Sequence, residues 1–254
     1  MESVKSLAWK VALNQLALDY GVSPQALSRE DHTLVAPQKL PGRRQYTEEP
    51  PLFQMVTIGR GAVIAAHPAL HEQLQKWAGD VPGHRLWEYP KLRQLEQLLL
   101  PWGWKPTGSF HMFLPGGEFV PALPQKFAYR WYDRHTMKEL YPNRKFPNAI
   151  SEEENPKRPD VIALAALEGD RIVALAGASA DGEQLWQVGI DVLPEYRSRG
   201  LGKGLVSALC ARIWELGKVP FYGTAPANLH SQNIAVGCGF FPAWAEVSSR
   251  PAEE

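Results

Sequence analysis

The sequence predicts an α+β protein, with a central, mostly antiparallel twisted sheet flanked by helices and a smaller α/β domain ahead of it. Three observations carry this reading. Three runs of strand character, Val161 to Leu167, Ile172 to Ala178 and Leu185 to Val192, follow one another across Gly169-Asp170 and Asp181-Gly182. Those pairs suit tight turns, so the runs form an antiparallel meander. A glycine-rich turn then leads into an apolar-periodic helix in which Leu205, Leu209, Ile213 and Leu216 share a face. Between the halves, Pro115-Gly116-Gly117 and the prolines at 121 and 124 interrupt helix and sheet alike, setting a boundary between 1–117 and 118–254.

Taken in order, Val4 to Tyr20 has helical spacing of Leu7, Val11, Leu16 and Leu18, with Gly21 as its stop. Ser23-Pro24 can open a short second helix. Proline-rich, charged Pro37 to Pro51 reads as a surface loop. Leu52 to Ile58 and Ala62 to Ala66 read as strands joined at Gly59-Arg60-Gly61, Pro68 to Trp77 and Lys91 to Leu100 as helices, and Ser109 to Leu114 as a strand. Beyond the boundary come a strand over Lys126 to Tyr132, a short helix over Thr136 to Tyr141 and an irregular loop from Phe146 to Pro159. After the long helix, Gly217 acts as a stop, Val219 to Thr224 forms a strand and Ser231 to Val236 a short helix.

Composition narrows the function classes. At 44% hydrophobic and 21% charged, the chain of 254 residues is ordinary globular material. Lys+Arg and Asp+Glu both number 27, so no overall basic field recruits nucleic acid or an anionic membrane. No apolar run approaches the roughly 18 residues needed to span a bilayer, and the first 20 residues lack a secretory pattern, so the expectation is a soluble, cytoplasmic protein. Two cysteines make neither a disulfide framework nor a thiolate site, and the seven histidines show no metal-ligand spacing.

The chemistry-bearing segment is Arg197-Ser198-Arg199-Gly200-Leu201-Gly202, between a strand and a helix. Glycines there let the backbone aim several N–H groups at one spot beside the positive helix end, which suits an anion, above all a phosphate. A Walker turn needs Gly-Lys-Ser/Thr, whereas this chain has Gly202-Lys203-Gly204; a dinucleotide turn needs its third glycine one residue later. The plain alternative is a glycine-rich connection with solvated arginines.

Two motifs decide between these. Ile190-Asp191-Val192-Leu193-Pro194-Glu195-Tyr196-Arg197-Ser198-Arg199-Gly200-Leu201-Gly202 resembles motif A of the Gcn5-related N-acetyltransferase (GNAT) superfamily, Arg/Gln-x-x-Gly-x-Gly/Ala after a strand and a proline bend. Asn228 to Phe240, ending Gly239-Phe240, resembles its closing motif B. The resemblance covers about Lys126 to Ala245, and the strand-strand-helix runs of the first half read as a degenerate copy of the same fold. It implies acetyl-coenzyme A as cofactor, its pantetheine arm added beside a splayed fourth strand at Ile190 and Val192. The Ile190 N–H would polarise the thioester carbonyl. The amides of Ser198, Gly200, Leu201, Gly202 and Lys203 would hold the pyrophosphate, with side chains at Gly200 and Gly202 expected to intrude on it. Arg197, Arg199 and Lys203 either add charge or are merely solvated, and Asn228 matches the asparagine that bonds pantetheine amides.

The chain also departs from the family. Counting back from Gly239-Phe240, the tyrosine that many members use to protonate the leaving thiolate is replaced by Ala235, and Trp186 stands where some members carry a carboxylate. Ser231, Tyr222 and Cys238 are substitute donors, each with a plainer reading: Ser231 as a helix cap or a cofactor contact, Tyr222 as a strand residue and Cys238 as a core residue. For the acceptor, Phe127, Tyr129, Trp131, Phe146 and Trp186 could form an aromatic wall, with Asn148 in the adjoining loop; filling a core is the plainer role. His111, His135 and Glu118 are the candidate bases. The expected function is therefore N-acetyltransfer from acetyl-coenzyme A to a primary amine of a small molecule, aromatic amines included, by direct attack in a ternary complex. The alternative is a catalytically weak acyl-coenzyme A sensor or interaction module of the same fold.

Overall fold

The computed structural model describes residues 2–46 and 49–253, so of the loop expected over Pro37 to Pro51, positions 47 and 48 lie outside the described residues. In chain order the regular elements are α1 (Val4–Tyr20), β1 (Thr33–Val35), β2 (Phe53–Thr57), β3 (Val63–Ala66), α2 (His71–Ala78), α3 (Tyr89–Leu99), β4 (Trp104–Pro106) and β5 (Phe110–Pro115). They continue with β6 (Ala128–Asp133), β7 (Asp160–Glu168), β8 (Arg171–Ser179), β9 (Leu185–Val192), α4 (Leu201–Glu215), β10 (Val219–Thr224), α5 (Leu229–Gly237) and β11 (Phe240–Pro251).

The chain divides into two compact units. One contains residues 1–11, 113–224 and 228–241; the other contains 12–112, 225–227 and 242–254. Neither unit is one continuous stretch of chain: the crossings between them fall at 11/12, 112/113, 224/225, 227/228 and 241/242.

In the first unit β6, β7, β8 and β9 pair antiparallel in sequence order, and β10 joins β9 in parallel. A parallel neighbour needs a crossover, and α4 supplies it. Its Leu205, Leu209 and Ile213 are fully buried against Val173, Ala176 and Val188 of the sheet. Leu216, expected on that face, lies just past the last helical residue and is 44% exposed, because Gly217 at φ 73° turns the chain away. On the opposite sheet face, Tyr132, Met137, Phe146, Ile150 and Leu175 form a second cluster.

The second unit is a small sheet in the order β1-β3-β2-β11, with β4 on β11. β2 and β3 are a hairpin; β1 runs parallel to β3, and β11 antiparallel to β2. Leu74, Leu86, Leu95 and Leu99 pack on Phe53, Ile64 and Val247. The loop read as surface contributes a buried cation. The Arg44 guanidinium, 3% exposed, meets Asp19 at 2.5 Å and Glu246 at 2.9 Å, and its backbone N–H donates to Asp19 Oδ1 at 2.7 Å. Two carboxylates around one guanidinium compensate its desolvation.

Removing one partner of a buried pair leaves the other charge uncompensated. Asp19→Ala should therefore lower unfolding free energy by about 3–5 kcal/mol in urea titration. Glu72→Gln, which breaks the exposed Glu72–Lys76 pair on α2, should cost about 0.5 kcal/mol or less. Equal effects of the two substitutions would contradict this account.

Candidate functional site

β9 is held on one edge and released on the other. Its parallel register with β10 runs from Leu185↔Val219 to Val188↔Tyr222 and stops there, while its pairing with β8 continues to Val192↔Ala174. The N–H of Leu193 donates to Val173 O at 3.0 Å. Because antiparallel partners alternate between bonded and non-bonded pairs, Asp191 and Gly189 also bond β8, and the N–H and C=O groups of Ile190 and Val192 point away from it. They face the gap where β10 has diverged. The Arg197 side chain fills part of this edge, donating from Nε to Val192 O at 3.3 Å.

The chain leaves β9 through Pro194-Glu195-Tyr196 and enters the glycine turn. Ser198 has φ 60° and Gly200 φ 81°, both left-handed, and Gly200 is the N-cap of α4. Alternation of left-handed residues just before a helix turns successive N–H groups to one side, the geometry of an anion-binding nest. Ser198 is the only non-glycine residue with positive φ among those described, and such a conformation costs roughly 1–2 kcal/mol for an L-residue.

Of the basic side chains around the turn, Arg199 is engaged by its own neighbours. Arg199 lies over the Tyr196 ring, 5.0 Å from its centroid, and donates to Glu195 O at 2.8 Å. Tyr196 in turn donates to Glu168 at 2.5 Å. Lys203 crosses Gly237 at the end of α5, where an added Cβ would stand 2.4 Å from Nζ. The glycine expected to spare the pyrophosphate at 202 faces a neighbour instead: a Cβ there would meet Ile234 of α5 at 3.2 Å. At Gly204 it would meet Ala122 O at 2.8 Å. Both allow close packing on α4, so within this turn only Gly200 is required by backbone conformation.

At the mouth of the gap, Tyr222 pairs in register with Val188 and its hydroxyl lies 2.8 Å from Ser231 Oγ on α5. Burial pushes the Tyr222 phenol up to about 12. Asn228 caps α5, its Oδ1 accepting from Ser231 N at 3.2 Å. Ala235, one turn beyond Ser231, is fully buried. Cys238 is a core residue whose thiol donates to Lys203 O at 3.5 Å, and burial raises its pKa.

The aromatic wall is not assembled. Phe127 is buried with its ring edge-on to Tyr196 at 6.2 Å, and Phe146 is buried in the opposite cluster; both are core. Tyr129 packs on the core and donates to Pro124 O at 2.7 Å. Trp131 is exposed on β6, three strand spacings or roughly 14 Å from β9, whose far edge borders the gap. Trp186 is half-buried, with Lys218 Nζ 6.0 Å from its ring. What does reach β9 is the loop after β6, through Asp191. Its Oδ2 accepts from Asn148 N at 2.6 Å and Ala149 N at 3.1 Å, and its Oδ1 from Asn148 Nδ2 at 2.6 Å. Sequence reasoning passed over Asp191 as part of the motif; the available signal was a carboxylate between the two gap-facing positions.

Among the described residues, no group of three or more His, Cys, Asp and Glu could hold a metal, and no helix is long and apolar enough to cross a membrane. Residues 126–240 match the model of the acetyltransferase (GNAT) family. Among solved structures, a GCN5-related N-acetyltransferase-like protein from Streptococcus suis is similar at 17% identity and TM-score 0.50, over 81% of this chain and 87% of that one. A GCN5-related N-acetyltransferase from Kribbella flavida shares 20% identity at TM-score 0.45, over 62% and 63%. One from Sphaerobacter thermophilus shares 12% at TM-score 0.45, over 78% and 76%. The chain spans 66%, 59% and 63% of the length of three of the solved chains that it matches. No curated protein matches it.

The Tyr222 phenol should titrate separately from the other tyrosines. In the ultraviolet difference between the native protein and Tyr222→Phe, phenolate should emerge near pH 12 instead of the usual value of about 10. Since the folded value lies above the unfolded one, the stability tied to this group is complete below pH 10 and is lost as pH rises towards 12. Phenolate from Tyr222 at pH 10 would contradict its burial.

Proposed function

We propose that this protein transfers an acetyl group from acetyl-coenzyme A to a primary amine of a small molecule, by direct attack in a ternary complex, a reading supported by the match of residues 126–240 to the acetyltransferase (GNAT) family model. The observation that carries the reading is the release of β9 from β10 beyond Val188, which leaves the Ile190 and Val192 amides facing a gap that leads to the turn at Ser198–Gly200. An unpaired strand edge accepts an extended amide-bearing chain as it would another strand, and pantetheine is such a chain. When bound, acetyl-coenzyme A supplies an acyl carbon activated by a good leaving group.

The residues divide the work. Ile190 N–H donates towards the acyl oxygen, where negative charge develops on attack. The amides of Ser198, Gly200, Leu201, Gly202 and Lys203 hold the pyrophosphate by backbone geometry, since the Arg199 side chain is turned to Tyr196 and Glu195 O and that of Lys203 lies across Gly237. Asn228 keeps Nδ2 free for a pantetheine carbonyl because its Oδ1 already caps α5.

The Tyr222 hydroxyl, neutral up to about pH 12, shares a 2.8 Å hydrogen bond with Ser231 Oγ in which either oxygen can donate; with Tyr222 as the donor, the Ser231 proton points outward at the departing sulfur. A phenol that weak does not protonate a thiolate, whose conjugate acid titrates near 8.5, so the pair stabilises the sulfur by hydrogen bonding without proton transfer. With Ala235 in the tyrosine position, positioning carries the larger share of the rate.

The test is free-thiol release from acetyl-coenzyme A with and without primary amines, beside thermal stabilisation by coenzyme A alone. Amine-dependent release is the expected result. Stabilisation without any release would instead support the sensor reading, which the alanine at 235 favours. Ser231→Ala and Tyr222→Phe should each lower kcat by about tenfold or less, below the roughly 10²–10⁴-fold of an acid–base residue. Asn228→Ala should raise KM for the acyl donor. A loss of several thousandfold in Tyr222→Phe, with cofactor affinity unchanged, would make Tyr222 the general acid and overturn this division.

A further inference from the structure

Asp191 lies between the two residues whose amides face the gap, and its side chain leaves β9 on the other face. Ile190 and Val192 pack towards the α4 core, whereas Asp191 and Gly189 point the opposite way. Gly189 and Gly177 are cross-strand partners that leave this face bare. A Cβ on Gly189 would stand 1.7 Å from Asn148 O, and one on Gly177 2.3 Å from Ala149 O. Residues 146–150 therefore lie directly on the sheet, in a slot that only paired glycines leave open.

Two sets of bonds fix this loop. The buried Asn143 side chain donates to Phe146 O at 2.8 Å and Ile150 O at 2.9 Å and accepts from Phe146 N at 3.0 Å. The Asp191 carboxylate takes its three charge-assisted bonds from Asn148 and Ala149. A carboxylate at this position only accepts, so it must meet Nδ2 of the Asn148 amide, which turns Oδ1 outward as an acceptor on an exposed side chain.

Resting on the acyl-transfer reading above, we infer that Asp191 is a positioning residue that docks residues 146–150 beside Ile190 and holds the Asn148 amide oxygen out to accept an N–H of the acceptor amine. On the other face of the sheet Ile190 and Val192 pack against the core that α4 and Ile234 of α5 join, so an amine approaching the Ile190 N–H comes past this loop. An oxygen acceptor there favours a primary amine or ammonium, which has N–H groups to spare, over an alcohol or thiol.

The experiment uses the full chain with acetyl-coenzyme A and tyramine and spermidine as acceptor probes. Asn148→Ala, at an exposed position, should raise the acceptor KM about tenfold while leaving KM for acetyl-coenzyme A, coenzyme A affinity by calorimetry and Tm unchanged. Asp191→Asn should raise acceptor KM similarly and, in addition, speed amide hydrogen exchange at Asn148 and Ala149; Asp191→Glu should restore part of both. Wild-type turnover with an unchanged acceptor KM in Asn148→Ala and Asp191→Asn overturns the assignment of the loop while leaving acyl transfer intact. Absence of amine-dependent turnover in the wild type overturns acyl transfer and this inference together.

Discussion

Everything at the candidate site depends on β9 being bonded along one edge and free along the other. Were β10 to follow β9 to its end, the amides of Ile190 and Val192 would be consumed in the ladder. Were β8 also to let go, nothing would hold those amides in line. Pairing with β8 persists through Leu193, and pairing with β10 ends at Val188. The backbone groups so exposed must be satisfied by water or by a ligand, because an unpaired amide in a dry site carries a penalty comparable to a lost hydrogen bond. A strand edge with a rigid back is a specific receptor for something that itself resembles a strand.

The same strand organises three separate functions through its geometry. Its edge presents amides to the gap. Its inner face, through Val188, Ile190 and Val192, joins the core that seats α4 and so places the turn at Ser198–Gly200 at the strand's exit. Its outer face carries Gly189 and Asp191, which receive the loop at 146–150. Charge plays a smaller part than the three basic residues of the turn suggest. Arg197 donates to Val192 O, Arg199 stacks on Tyr196 and Lys203 lies across the end of α5, so the proposed anion site is made chiefly of fixed backbone dipoles. Dipoles already oriented by the fold need no reorganisation when an anion arrives, unlike long side chains that lose rotamer freedom.

Much of this was legible in the sequence because it depends on local signals. β9, β10 and α1 fall where periodicity and glycine stops put them, since strand alternation, Gly21 and Gly217 act over a few residues. The glycine turn was legible for the same reason. β1, β4 and β11 were not. β1 and β4 are three residues each, too short to show a period, and β11 carries Pro242 and Pro251, which read as breakers. At the site the failure was of another kind. Phe127, Phe146 and Trp131 were grouped by residue type, but two strands, β7 and β8, separate β6 from β9, and only sheet order reveals it. The Asp191–Asn148 contact joins residues 43 apart in sequence across a slot defined by two glycines on different strands, and nothing local announces it.

The second unit shows what long-range closure requires of such a chain. β2 sits between β3, which follows it by a short turn, and β11, which lies nearly two hundred residues away: Phe53 N donates to Ser249 Oγ across 196 positions. Until β11 arrives, one edge of β2 is unpaired and Arg44 has one of its two carboxylate partners, Glu246, missing. Hydrophobic burial alone would tolerate several registers of a strand whose central residues are mostly small, with Ala243, Ala245, Ser248 and Ser249 beside a single valine. The ion pair does not, because Glu246 must face Arg44 while Trp244 Nε1 donates to the same carboxylate at 2.9 Å. A buried cation with a partner from α1 and another from the last strand therefore selects one register of β11, at the cost of making this unit's folding wait on a contact of high sequence separation.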